Sequence, residues 1–256
     1  MHKHYYLIKV QYLGFRFHGW AKQPNLKTVH YMIDRTVAFV LGHKDFKTIG
    51  SSRTDAMVSA NQSAFELFTK VPLEMDSFFD SLNKFLPADI KALTIEEVDE
   101  SFNIINNPKT KEYHYLFSFG EKVHPFCAHI IAPVIEELDI ALMQKGAKLF
   151  EGKHNFKKYV VKPSENTNFI RTIDNSEIVL NNVYSANFFP RKTYIYRVKA
   201  KGFMRNQIRM MMGQLILLGK GEINLEFIKS SLSNPDEQHL QNIAPASGLI
   251  LNKISF

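Results

Sequence analysis

Asp55 is the first residue of this chain whose surroundings suggest chemistry. It lies in Ser51-Ser52-Arg53-Thr54-Asp55-Ala56-Met57-Val58-Ser59-Ala60, with a guanidinium two residues before it. A carboxylate beside a cation stays ionised at neutral pH, as a nucleophile requires. The small Ala56 leaves room for a planar group to approach. The same residues would serve equally well as a turn or a cap, the ordinary use of Thr and Asp in a short polar stretch.

Two further groups carry charge or aromatic surface in patterned positions. The spacing after Gly202 predicts a helix from about Met204 to Leu218, with Met204, Ile208, Met211, Leu215 and Leu218 as its core stripe. Arg205 and Arg209, four apart, would share an adjacent stripe with Met212 and Ile216. A partly buried guanidinium there needs a carboxylate or phosphate, or it reaches water along its aliphatic stem. Tyr113 and Tyr115 recur at period two. They read either as the buried face of a strand or as a platform on which a nucleobase stacks, with Lys111 as a nearby cation.

Composition narrows the partners. Against 25 acidic residues stand 32 Lys and Arg, giving +7 and a pI near 9.3, a balance that favours a polyanion. The single cysteine, Cys127, excludes a disulfide framework and a thiolate-rich zinc site within the chain, and suits a reducing cytoplasm. None of the ten histidines has metal-ligand spacing, and His18, His114 and His154 read as polar or core residues. The N-terminus lacks the apolar segment of a signal peptide, and no run is long enough to span a membrane. The chain lacks a Gly-rich phosphate loop, which argues against nucleotide hydrolysis, while an enzyme acting on a small phosphorylated molecule stays as a rival expectation.

These groups must be held by the surrounding elements. Tyr6, Ile8, Val10 and Tyr12 alternate as in a strand, and Gly14 opens a loop. Thr28 is placed to cap a helix through Val29, Ile33, Val37 and Leu41. A strand through Ser63, Phe65 and Leu67 follows the Asp55 loop, then a helix ending before Pro87 and a strand from Leu93 to Val98. Asn106-Asn107-Pro108 marks a boundary, giving an N-terminal subdomain 1–107 and a C-terminal subdomain 108–256. In the latter, Tyr113 to Phe119 reads as a strand and Asp139 as a helix cap. Residues 152–171 read as irregular, 177–184 and 193–200 as paired strands, and 243–256 as a final strand. Strands mixed with helices, without β-α-β repetition, predict an α+β fold with a largely antiparallel sheet.

Taken in order, these pieces resemble the tRNA pseudouridine synthase A family. Its nucleophile motif R-T-D-A-G-V-H-A corresponds to Arg53–Ala60, read here as R-T-D-A-M-V-S-A. Tyr12-Leu13-Gly14 through His18-Gly19-Trp20 resembles the family's N-terminal segment, and Leu86-Pro87-Ala88-Asp89-Ile90 its L-P-x-D-I turn. Lys111 to Tyr115 matches K-x-Y-x-Y, Gly152 to Phe156 matches G-x-H-x-F, and Phe203 to Arg209 matches the arginine motif. Ala244 to Leu249 resembles A-P-x-x-G-L. Each motif is short; their order over nearly the whole chain is specific.

The resemblance implies isomerisation of uridine to pseudouridine in tRNA, typically in the anticodon stem-loop, with no cofactor and no catalytic metal. It gives Asp55 the role of nucleophile, leaving open attack on the sugar, attack on the ring, or proton abstraction. Tyr113 would stack on the flipped uracil and Arg209 would pair with Asp55. Arg53 would enter the space left by the extruded base, and Arg205 would meet phosphate. The implied fold is two similar α+β subdomains whose sheets join across a central cleft, commonly as a cytoplasmic homodimer. Met57 and Ser59 replace the motif's Gly and His, and Gly serves where the backbone approaches closely or takes positive φ. Phe102-Asn103-Ile104-Ile105 lacks the His and Arg of the family's F-H-x-R. The rival expectation is an inactive RNA-binding relative on the same scaffold.

Overall fold

A computed structural model describes residues 4–233 and 240–256. Among these, ten strands, mostly antiparallel, and five α-helices make an α+β fold, the class expected from the sequence. The chain packs as two units, Met1–Lys109 with Leu251–Phe256, and Thr110–Ile250. The division thus falls after Lys109, two residues beyond the Asn107 boundary read from the sequence, and the last six residues belong with the first unit.

The first unit is built on β1 (His4–Tyr12), which runs antiparallel to both β3 (Ser59–Thr69) and β4 (Ile90–Glu97). Tyr6, Leu7 and Ile8 are buried in succession, as expected of a strand covered on both faces. A short strand β2 (Phe46–Gly50), which the sequence pattern did not reveal, pairs with β3. Thr28 caps α1 (Val29–Leu41) by accepting from the Tyr31 N–H, and Gly42 ends it at φ +73°. The second helix, α2 (Met75–Phe85), stops before Pro87.

In the second unit, β5 (Thr110–Phe119), β9 (Tyr194–Ala200), β8 (Ile170–Leu180) and β7 (Gly152–Asn155) lie side by side, antiparallel. The supposedly irregular stretch 152–171 therefore opens with a strand. It escaped notice because only four residues alternate. The three-residue β6 (Ala132–Val134) runs parallel to β5. Asp139 caps α3 (Ile140–Lys148), its carboxylate accepting from the Leu142 N–H at 2.8 Å. Helix α5 (Leu225–Ser233) was also not evident from sequence. The closing strand, β10 (Leu249–Ser255), is shorter than predicted.

Helix α4 (Gln207–Gly219) begins three residues later than its periodicity suggests. Asn206 sits at φ +59°, a left-handed conformation that ends helix propagation, and the Gln207 side chain accepts from the Met204 N–H at 2.9 Å. Met204 and Arg205 therefore precede the helix, and Arg205 and Arg209 do not share a helical stripe. Eleven of the thirteen α4 residues are buried, which makes it a core helix rather than an amphipathic one. Its Gly213 lies against backbone: a Cβ there would stand 2.3 Å from the Asn242 carbonyl oxygen. Ala in a helix is favoured over Gly by about 1 kcal/mol, but a clash with backbone outweighs that gain. Gly213→Ala should destabilise the fold by about 1–3 kcal/mol, read as a lower urea midpoint at unchanged m.

Candidate active site

Asp55 sits in a turn immediately before β3. Its carbonyl accepts from the Val58 N–H at 3.2 Å, closing Asp55-Ala56-Met57-Val58, and Met57 at the third position has φ +68°. A turn with positive φ at that position ordinarily takes Gly or Asn. Met57, in the motif's glycine slot, therefore adopts a left-handed backbone that glycine takes more readily. The Met57 side chain is exposed, Asp55 is half-buried and Arg53 is exposed between the buried Ser52 and Thr54.

The turn is clasped by the segment between β1 and α1. Met57 donates its N–H to the Phe17 carbonyl at 3.1 Å, and Trp20 donates to the Thr54 carbonyl at 3.1 Å. The Tyr12 and Thr54 hydroxyls are hydrogen-bonded at 2.8 Å. Ser59, which replaces the motif's His, accepts from the Gly14 N–H at 2.9 Å. A Cβ at Gly14 would lie 2.0 Å from the Val58 carbonyl oxygen, and one at Gly19, where φ is +87°, would lie 2.7 Å from the Thr54 oxygen. Only glycine allows the two backbones to approach this closely. Trp20, fully buried, stacks on His30 at 5.7 Å and anchors the clasp.

Sequence reasoning singled out Asp55 as a candidate but did not identify Tyr12, Gly14, Gly19 and Ser59 as the residues that hold its turn. The two glycines flanking an aromatic-rich stretch were the available signal.

In the second unit, Tyr113 and Tyr115 share one face of β5. Tyr113 is 9% exposed and meets Phe203 edge-on, with ring centroids 5.4 Å apart. Tyr115 is fully buried and donates to the Pro245 carbonyl at 2.8 Å. Burial pushes its phenol far above the ordinary range, an effect partly opposed by the charge of Arg209. Tyr115 is therefore a neutral structural donor, and Tyr113 is buried as well, with little of its ring reaching the surface. Burial also pulls the Lys111 ammonium down.

Arg209, half-buried at the start of α4, donates through Nε to the Ala244 carbonyl at 2.8 Å and through a terminal nitrogen to Asn206 Oδ1 at 3.0 Å. Ala244 returns its own N–H to the Arg209 carbonyl at 3.0 Å. The A-P-x-x-G-L segment thus fixes the arginine's stem and one edge of its guanidinium. Arg205, in contrast, is exposed. Arg53 and Asp55 share one loop of the first unit; Tyr113, Arg205 and Arg209 belong to the second. No cluster of metal-ligating side chains occurs among the described residues.

The left-handed conformation of a non-glycine residue costs about 1–2 kcal/mol, offset in part by the lower chain entropy of Met in the unfolded state. Met57→Gly should therefore raise stability by about 0.5–1 kcal/mol, with a matching rise in the urea midpoint.

Comparison with known proteins gives this geometry its context. The family model described as tRNA pseudouridine synthase matches residues 147–256. A tRNA pseudouridine synthase A of Dictyoglomus thermophilum is 31% identical over 251 residues, covering 97% of this chain and 98% of that protein. A tRNA pseudouridine synthase A 2 of Bacillus cereus is 29% identical over 255 residues, covering 99% and 100% respectively. A tRNA pseudouridine synthase A of Ruminiclostridium cellulolyticum is 30% identical over 251 residues, covering 97% and 98%. Similarity of this extent, end to end, places the chain in the tRNA pseudouridine synthase family.

Proposed function

We propose that this protein isomerises uridine to pseudouridine in tRNA, in the anticodon stem-loop, with Asp55 as nucleophile and without a cofactor. The full-length similarity to proteins named tRNA pseudouridine synthase A carries the reading. The turn that keeps Asp55 half-exposed next to an exposed Arg53 supports the residue assignment. The reaction breaks the bond from the ribose anomeric carbon to N1 and forms one to C5. The proton on C5 leaves and N1 gains one, so the exchange balances without a redox partner.

In this reading the residues divide the work. Asp55 attacks or abstracts; Arg209 is the cation that keeps its carboxylate charged; Tyr113 offers a ring face for the extruded uracil. Arg53 fills the vacated place in the stack, offsetting part of an unstacking cost of about a few kcal/mol. Arg205 contacts phosphate. The active reading is preferred over an inactive RNA-binding relative because Asp55, Tyr113 and Arg209, the residues given chemical roles, are all present.

No helix among the described residues is long and apolar enough to cross a membrane, and a cytoplasmic homodimer is proposed with the activity. A sedimentation mass near that of one chain, 29.6 kDa, across micromolar concentrations would refute the dimer.

Asp55→Asn should leave tRNA affinity within about three-fold, since binding is spread over many phosphates, while pseudouridine formation in unmodified tRNA falls by at least about a thousand-fold. Loss of affinity in step with rate would refute the nucleophile assignment. Tyr113→Phe keeps the ring, so a rate within about ten-fold of wild type is expected. Abolished product would show that its hydroxyl moves a proton.

A further inference from the structure

The second unit carries a basic aromatic surface that the reaction chemistry does not use. Residues Pro125–Cys127 form a single helical turn at whose tip Phe126 is 65% exposed. The tip is fixed: Phe126 N–H donates to His124 Nδ1 at 3.2 Å and Cys127 N–H to the His124 carbonyl at 2.8 Å. The Phe126 ring lies 5.8 Å from Phe188 and 4.9 Å from His124. Phe188 continues to Phe189 at 5.7 Å. The buried Cys127 thiol ties the two loops by donating to the Phe188 carbonyl at 3.4 Å.

Charge identifies what this surface would accept. Arg191 and Lys192 follow Phe189 after a single proline, Pro190, and are exposed. Within 122–135 and 178–193 there is no Asp or Glu, with Glu121, Glu136 and Glu177 at the borders of these segments. Rigid aromatic rings beside unopposed cations are the recognition chemistry of unpaired nucleotides, with bases stacking on rings and phosphates meeting cations. The exposed rings alone would suit any apolar partner, whereas Arg191 and Lys192 favour one that is also anionic.

The strand beneath separates this surface from Tyr113. Successive β5 side chains point to opposite faces. His114 contacts Tyr184 of the 181–193 loop, and Leu116 packs with Cys127 and Phe188. Tyr113 and Tyr115 project the other way, to Phe203 and Pro245. We propose that Phe126 and Phe188, with Arg191 and Lys192, form a second RNA subsite that holds an unpaired nucleotide other than the one that reacts. This rests on the reading that the substrate is tRNA.

Phe126→Trp places a reporter at the tip, distinct from the buried Trp20. Its fluorescence should be quenched by short oligouridylate, and its affinity for unmodified tRNA should match wild type. Phe126→Ala should weaken tRNA binding about ten-fold with an unchanged thermal midpoint, as expected of an exposed side chain. Arg191→Ala with Lys192→Ala should reduce the slope of log affinity against log salt by about 2. Absence of quenching, or tRNA affinity unchanged by Phe126→Ala, overturns the subsite. Phe126→Ala that shifts the concentration-dependent mass while RNA affinity holds also overturns it, by making the surface a protein interface. Wild type that neither binds tRNA nor forms pseudouridine defeats the parent reading instead, and the oligouridylate quench then decides the subsite alone.

Discussion

The close approach of the Gly14–Trp20 segment to the Thr54–Val58 turn is the constraint on which the placement of Asp55 depends. Two backbones pass where no Cβ fits at Gly14 or Gly19. Their hydrogen bonds tie Thr54, Met57 and Ser59 to residues 12 to 20. A carboxylate on a free loop would sample many directions. One on a turn held at both ends is aimed before any substrate arrives, which lowers the entropy that must be lost in the reacting complex. Trp20 extends the constraint into the core, because its indole occupies the space left by the missing side chain of Gly50.

A related device operates in the second unit. Asn206 takes a left-handed conformation just before α4 and presents its side-chain oxygen to Arg209. Ala244 accepts from the same guanidinium and closes the arrangement. Left-handed non-glycine residues therefore stand beside two of the charged groups proposed for catalysis, Met57 near Asp55 and Asn206 near Arg209. Asn adopts this conformation readily, whereas Met does not, so the strain is concentrated at the turn carrying the carboxylate.

Much of this was legible in the residues. Alternation revealed β1, β3 and β5, and Thr28 and Asp139 announced their helices because capping chemistry is local. The order of short motifs singled out Asp55, Tyr113 and Arg209. What escaped lies outside what apolar periodicity reports. The start of α4 was misplaced because apolar spacing continues through Met204, while the left-handed Asn206 and the Gln207 side chain stop the helix. That error put Arg205 on a shared stripe with Arg209, though it lies outside the helix. Strands β2, β6 and β7 are too short for periodicity to speak, and they exist because a neighbouring strand offers hydrogen bonds. The roles of Gly14 and Gly19 depend on residues some forty positions away, which no window along the chain contains.

The most direct test of a preset Asp55 is single-turnover pseudouridine formation by Gly19→Ala at saturating unmodified tRNA, with binding measured in parallel. A methyl group there meets the Thr54 carbonyl at a φ that alanine resists. If the clasp aims the carboxylate, the rate falls by more than about ten-fold while tRNA affinity and the folded circular dichroism spectrum are retained. A folded variant that isomerises tRNA at the wild-type rate would contradict it, and would place the control of Asp55 elsewhere.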